Sequence, residues 1–384
     1  MRYKVYLDVG EGTLSEGGPL AHIPALPGCV ARGRTKEEAL SNLKVLFGDY
    51  LALFGKVDES LPASLADVEL DVEETEASIF PEDMIPLKPE EVRALLRKME
   101  LSRQALLDRV SGLSDEALTW KGDEDGWPIK QIIEHIANAE WWYIQRLQDW
   151  PRDPFERLEA IHRYTIARLG DLDGDALNQV TAHYNREWTP RKILRLLPVY
   201  YRFQKRIVDK GLAAVADGEK ERLSPAELES FQVVIFQSDD HPSDRERLAP
   251  QERDSLLERL EAAWREVKTS LEKISQLPKE IQEWKPKGRT FSLLERVMEV
   301  ADDEWWFALR LTYWPQDPSE RLKTIRQMAV ERLENLAPEE RERVTILYGE
   351  EWTARKVFRR FLEHEREHLG HIEEILEEYR TQKG

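Results

Sequence analysis

The chain has one cysteine, Cys29, and no apolar run approaching the length a membrane helix requires. A single thiol cannot close an internal disulfide or build a CxxC or cysteine-rich zinc site, so any metal must rest on histidines and carboxylates. On a strand, such a lone cysteine is expected to be a small buried hydrophobe. The opening MRYKVYLDVG alternates charged and apolar residues and never follows a basic stretch with an apolar block, so no signal peptide is read there and a cytoplasmic location is expected. Basic residues are also in short supply, 56 against 74 acidic, for a formal charge of −18. A field of that sign repels phosphate backbones, which makes nucleic acid an unfavoured partner. What the chain does have is length and core-forming residues. Its 384 residues, 41% of them hydrophobic, suffice for two or three domains with separate cores.

Displacing the sequence by 164 residues aligns it with itself without a gap. Trp120 meets Trp284, Glu140-Trp141-Trp142 meets Glu304-Trp305-Trp306, Trp150-Pro151 meets Trp314-Pro315, and Glu187-Trp188-Thr189 meets Glu351-Trp352-Thr353. Between 120–207 and 284–371, 29 of 88 positions are identical, which marks a duplicated fold. Apolar residues recur at helical spacing in each copy, as in Leu256, Leu260, Trp264, Val267 and Leu271. Four helices are expected per copy, at 89–111, 128–149, 154–170 and 190–210, and at 251–276, 292–313, 318–336 and 354–380. Trp-Pro ends the second helix of each, and Thr189-Pro190 and Thr353 open the fourth. Each copy thus reads as a four-helix bundle with a partly extended connection before its last helix, and the two as a pseudo-dimer of bundles within one chain. The paired tryptophans suit core packing better than a stacking platform. Residues 213–250 read as a linker or embellishment, in which Phe231 to Phe236 has strand character; Ala77 to Phe80 shows the same pattern before the first bundle.

Ahead of the repeat, Tyr3 to Val9, Leu20 to Ile23 and Cys29 to Arg32 read as strands. Thr35-Lys-Glu-Glu38 is a capping box opening a helix to about Phe54, and Asp67 to Val72 is a returning strand. The fold class is therefore α+β overall and mostly α: a small ββ β α β domain at 1–75, then bundles at 85–212 and 251–384. The stretch from His22-Ile-Pro-Ala-Leu-Pro-Gly28 through Thr35-Lys-Glu-Glu-Ala-Leu40 resembles the HicB-like family. That resemblance implies a small sheet that, in antitoxins, binds a toxin partner. The acidic bundles stand where such antitoxins carry a DNA-binding module.

Chemistry is concentrated in the histidines. His364 and His368 are i, i+4 on the last helix, so both can reach one cation, and His371 is one turn along, placed for an outer or alternative ligand. His364-Glu365-Arg366-Glu367-His368 satisfies HExxH formally, but only 13 residues follow His371, so no downstream element supplies the usual third ligand. Both repeats are instead similar to the DinB-like superfamily, whose second helix reads W-x-x-x-x-I-x-x-H and whose fourth carries H-x-x-x-H. The resemblance implies a three-histidine divalent metal site within a bundle, and metal-dependent transferase or hydrolase chemistry, often on a low-molecular-weight thiol. By alignment, the first copy has His135 with Tyr200 and Gln204, a degenerate set. The second has Glu299 with His364 and His368, two histidines and a carboxylate suited to zinc, nickel, manganese or iron, with Asp303 as a further ligand. The expectation is one metal site in the second copy. The competing expectation is a non-enzymatic binding or scaffold protein, with a toxin-neutralising antitoxin third.

Overall fold

The computed structural model describes all residues except 16, 59, 123–125, 184–185, 217–240, 284–291, 348 and 384. It is mostly helical with a small N-terminal sheet, as expected. The expected strand at Phe231 to Phe236 lies outside the described residues.

Strand β1 (Arg2–Asp8) leads through a short helix α1 (Glu11–Ser15) to β2 (Leu20–His22) and β3 (Val30–Arg32). Helix α2 (Lys36–Phe54) and β4 (Glu69–Thr75) follow. The sheet order is β3-β2-β1-β4, with β1 and β4 parallel and the other pairs antiparallel. The parallel pair arises because α2 carries the chain back across the sheet between them. Thr35 caps α2 by accepting from the Glu38 amide at 3.2 Å. Cys29 is buried, and desolvation pushes its thiol up to about 12, so it is an inert core residue.

The eight long helices of the repeat are α3 (Pro89–Val110), α5 (Ile129–Gln145), α6 (Pro154–Gly170), α7 (Pro190–Ala216), α8 (Pro250–Ser275), α10 (Leu293–Leu309), α11 (Pro318–Glu334) and α12 (Ala354–Lys383). Short helices α4 (Asp115–Thr119) and α9 (Lys279–Gln282) intervene. The sequence signals work as anticipated. Asp153 and Asp317 each accept two backbone amides at the start of α6 and α11, at 2.9–3.0 Å. Thr189 and Thr353 each accept an amide of the fourth helix at 3.1 Å and donate to a carbonyl at 2.7 Å, that of Asp244 and Asp83 respectively. The extended connections are hairpins, β5 (Thr181–His183) with β6 (Arg186–Trp188) and β7 (Thr345–Leu347) with β8 (Glu350–Trp352). Ala77 to Phe80 is not a strand. It leads into a 3₁₀ turn at Pro81–Met84 whose counterpart is Pro242–Arg245.

The compact units do not follow the repeat boundaries. One unit comprises Met1–Asp149 with Asp317–Gly384, and the other Trp150–Gln316. In the first, α3 and α5 of copy one pack with α11 and α12 of copy two; in the second, α6 and α7 of copy one pack with α8 and α10 of copy two. Bundles at 85–212 and 251–384 are therefore not how the helices assemble. The amphipathic pattern could not show this, because the two copies present interchangeable apolar faces.

The tryptophans report the same exchange. Trp142 of copy one lies edge-on to Trp352 of copy two, 5.1 Å between centroids, and Trp306 of copy two to Trp188 of copy one at 5.3 Å. The Arg146 and Arg310 guanidiniums cover the Trp142 and Trp306 rings at 3.4 and 3.8 Å. Trp141 and Trp305 are buried. The Trp142 and Trp306 rings fasten hairpins to bundles.

In the first unit the core contains four buried charges. Glu140 accepts from both Arg103 and Arg326, while Glu365 lies 2.9 Å from Arg103 and 3.2 Å from Arg326. Removing one member leaves a buried partner uncompensated, a loss of about 3–5 kcal/mol. A double-mutant cycle on Glu140→Ala and Arg326→Ala, read by urea unfolding, is expected to give a coupling above about 1 kcal/mol between these residues of different copies. Additive losses would refute the exchange of helices.

Candidate metal centre

His135 projects from the middle of α5, and His364 and His368 from successive turns of α12. The exchange of helices brings all three together. His364 Nε2 lies 3.0 Å from His135 Nε2 and 3.2 Å from His368 Nε2, and the three ligand atoms fall within 4.8 Å of one another. His364 and His368 are buried, whereas His135 is half-buried and has the half-exposed Trp127 ring edge-on to it at 4.9 Å. The partner of the histidine pair is thus His135. Glu299, expected in that role, sits in the other unit on α10.

The convergence has a chemical consequence. A ring nitrogen has one in-plane direction, filled either by a proton or by a lone pair. His364 Nε2 therefore cannot hydrogen-bond to both neighbours at once. One cation between the three nitrogens would satisfy all of them, and tetrahedral zinc with Zn–N near 2.05 Å would set its ligands about 3.3 Å apart. Burial, and then the neighbouring rings and Arg360, drive the His364 proton affinity far below its usual range, and burial first brings His368 to about 2. Both rings are neutral, the state in which imidazole binds metal.

His371 lies behind His368, with Nδ1 atoms 3.2 Å apart. Donation from His368 Nδ1 to His371 would hold the tautomer whose Nε2 lone pair faces the centre. His364 Nδ1 is buried without such a partner. Glu365, the general base of a formal HExxH, is held in the buried charge network with Arg103 and Arg326. The third histidine of the cluster is upstream, in the other copy.

The N-terminal domain braces this helix. His22 Nδ1 lies 3.0 Å from the Glu363 carboxylate, and Arg32 Nε donates to Glu367 at 2.6 Å. Arg359 donates to Glu363 and to Asp83, each at 2.8 Å. Burial works to raise the Glu363 carboxyl, but Arg359 and His22 outweigh it and bring the value down to about 2. A turn at Gly28, whose φ of +95° suits glycine, brings the domain against α12. A Cβ there would stand 3.2 Å from that of Leu362.

The equivalent position in the other unit holds Tyr200, Gln204, Glu299 and Asp303. Tyr200 donates to Asp303 at 2.7 Å, Gln204 donates to the Tyr200 oxygen at 3.1 Å, and Glu299 pairs with Arg296. So Tyr200 and Gln204 do not accompany His135, and Asp303 does not accompany His364 and His368. No histidine triad other than His135, His364 and His368 occurs among the described residues. Sequence reasoning missed the grouping, although the signal was present: the two copies together contain one complete set of three histidines.

The chain matches the DinB superfamily over residues 98–305, more than half its length. Its N-terminal part is similar to a UPF0150 protein of Thermoplasma acidophilum, 36% identical over 67 residues that span 17% of this chain and 91% of the relative. No solved structure matches the chain. No helix among the described residues is long and apolar enough to cross a membrane.

Burial raises the Asp303 carboxyl to about 7, with the Tyr200 bond opposing and the charges of Glu299 and Asp302 adding to the rise. In the unfolded chain an aspartate ionises near pH 4, so between about pH 4 and 7 the folded state binds the extra proton and stability falls as pH rises. The stability of the wild type minus that of Asp303→Asn is expected to drop across this window, by at most about 1.4 kcal/mol per pH unit, and then to level off. A difference independent of pH in urea unfolding would show that Asp303 titrates normally.

Proposed function

The chain belongs to the DinB superfamily, and from that premise we propose that it holds one divalent cation on His135, His364 and His368 and acts as a metal-dependent transferase or hydrolase on a small molecule such as a thiol. The observation that carries this reading is the convergence of the His135, His364 and His368 ligand nitrogens, all within 4.8 Å of one another. Three nitrogen donors leave positions open and suit zinc, nickel, manganese or iron. Bound there, the cation would lower the pKa of a thiol or water and supply a nucleophile at neutral pH. The chain's own residues orient and enclose. His371 fixes the His368 ring, Glu363 and Glu367 anchor α12 to the N-terminal domain, and half-buried His135 with Trp127 marks the open side.

The other unit supports a structural role, since Tyr200, Gln204 and Glu299 occupy the corresponding place and bond to one another or to Arg296 and Asp303. One site per chain is the resulting expectation, a middle case between an enzyme with two centres and a scaffold with none. For the N-terminal domain, the bonds from His22 and Arg32 to α12 favour an intramolecular task over capture of a toxin.

Full-length protein incubated with zinc and desalted is expected to retain about one equivalent by elemental analysis. His135→Ala and His364→Ala should each abolish it, and Glu299→Ala should leave it intact. Full retention by His135→Ala, or loss in Glu299→Ala alone, would sink the proposed ligand set.

A further inference from the structure

Comparison of the two copies separates the fourth helix into residues that hold the fold and residues that do not. Arg191 and Arg355 occupy equivalent positions, as do Lys192 and Lys356, and Arg195 and Arg359. Each pair makes matching bonds in its own unit: Arg191 and Arg355 grip backbone carbonyls and a glutamate, and Arg195 and Arg359 each bind an aspartate. Three other positions differ together: Leu196, Tyr200 and Gln204 in one copy stand where Arg360, His364 and His368 stand in the other. Arg360, His364 and His368 are spaced by four and share one face of α12. The arginine accompanies the histidines and is absent where they are absent.

Arg360 has few hydrogen-bond partners, although the Glu363 and Glu367 carboxylates stand near enough to act on its charge. A guanidinium carries five N–H donors. Among the described residues its hydrogen bond runs from Nη2 to the Tyr143 hydroxyl at 3.3 Å. The Glu363 oxygen nearest to it lies 3.6 Å from Nη1 and already accepts from Arg359 at 2.8 Å. The Arg360 side chain keeps 28% of its surface, so the remaining donors reach solvent. The Tyr143 ring connects it to the centre, standing 5.8 Å from the His364 ring. A fixed, planar charge with free donors, one helical turn from three converging imidazoles, is suited to bidentate capture of an oxyanion.

We propose that Arg360 is an anion subsite of the histidine centre, holding a carboxylate or phosphoryl group of the small molecule whose other end sits at His135, His364 and His368. The inference rests on the metal reading above and narrows its substrate class to an anion.

The test uses the full chain loaded with cobalt, titrated with 3-mercaptopropionate, 2-mercaptoethylphosphonate and uncharged 2-mercaptoethanol, binding being read from the visible cobalt spectrum. One or both anionic thiols are expected to bind about tenfold more tightly than 2-mercaptoethanol, and which of them does so distinguishes carboxylate from phosphoryl recognition. Arg360→Gln should erase that preference while keeping the cobalt equivalent and the affinity for 2-mercaptoethanol, which also shows that the variant is folded. Arg360→Lys should keep part of it. Equal binding of all three thiols by the wild type, or an undiminished preference in Arg360→Gln, would overturn the subsite and leave the metal reading standing. Failure of the wild type to hold cobalt would overturn both.

Discussion

Four buried charges decide which helices share a core. Arg103 and Glu140 come from the first two helices of one copy, Arg326 and Glu365 from the last two of the other, and they neutralise one another only when those helices meet. In the other unit the positions of Arg326 and Glu365 are taken by His162 and Tyr201, and Glu304 lies 2.9 Å from His162, whose ring stacks on Trp264 at 4.0 Å. If helices paired within their own copy, Arg103 would lose the Glu365 carboxylate and Glu140 would face a histidine in place of Arg326. Ion pairs of this kind contribute little net stability but penalise the wrong pairing severely. The histidine cluster depends on this selection, because only the exchanged pairing gives His135 the company of His364 and His368.

Much of this was legible in the residues. Period-3.6 stripes, Asp-Pro and Thr caps and Trp-Pro stops locate the repeat's helices to within a few residues, because they are local signals with local causes. The small N-terminal sheet was readable in the same way. What lay beyond the sequence was the partner of each helix. A duplicated pattern is degenerate by construction, so hydrophobic faces of either copy fit equally well, and Glu299 was grouped with His364 and His368 on alignment alone. The divided histidines and the unlike residues at 162 and 326 carried the missing information, but as chemistry, not as periodicity.

The N-terminal domain shows how a module can be absorbed by its neighbour. The matched relative in Thermoplasma acidophilum is about as long as the domain itself. Here its strands present His22 and Arg32 to Glu363 and Glu367, residues adjacent to the two histidines of α12, and the glycine turn sets the backbone close to the same helix. The geometry of the centre is thereby supported from two sides, by the bundle core through Glu365 and by the sheet through Glu363 and Glu367.

The exchange of helices also changes what each half of the duplication can lose. In a pair of separate bundles, one copy may decay or be deleted while the other keeps working. Here neither half contains a complete core or a complete set of histidines, so deletion of either would dismantle both units. Loss of the histidines from helix two of one copy and helix four of the other, however, empties one unit and leaves the set in the other complete. A duplication built this way can discard redundancy one residue at a time, yet can never return to a single gene half.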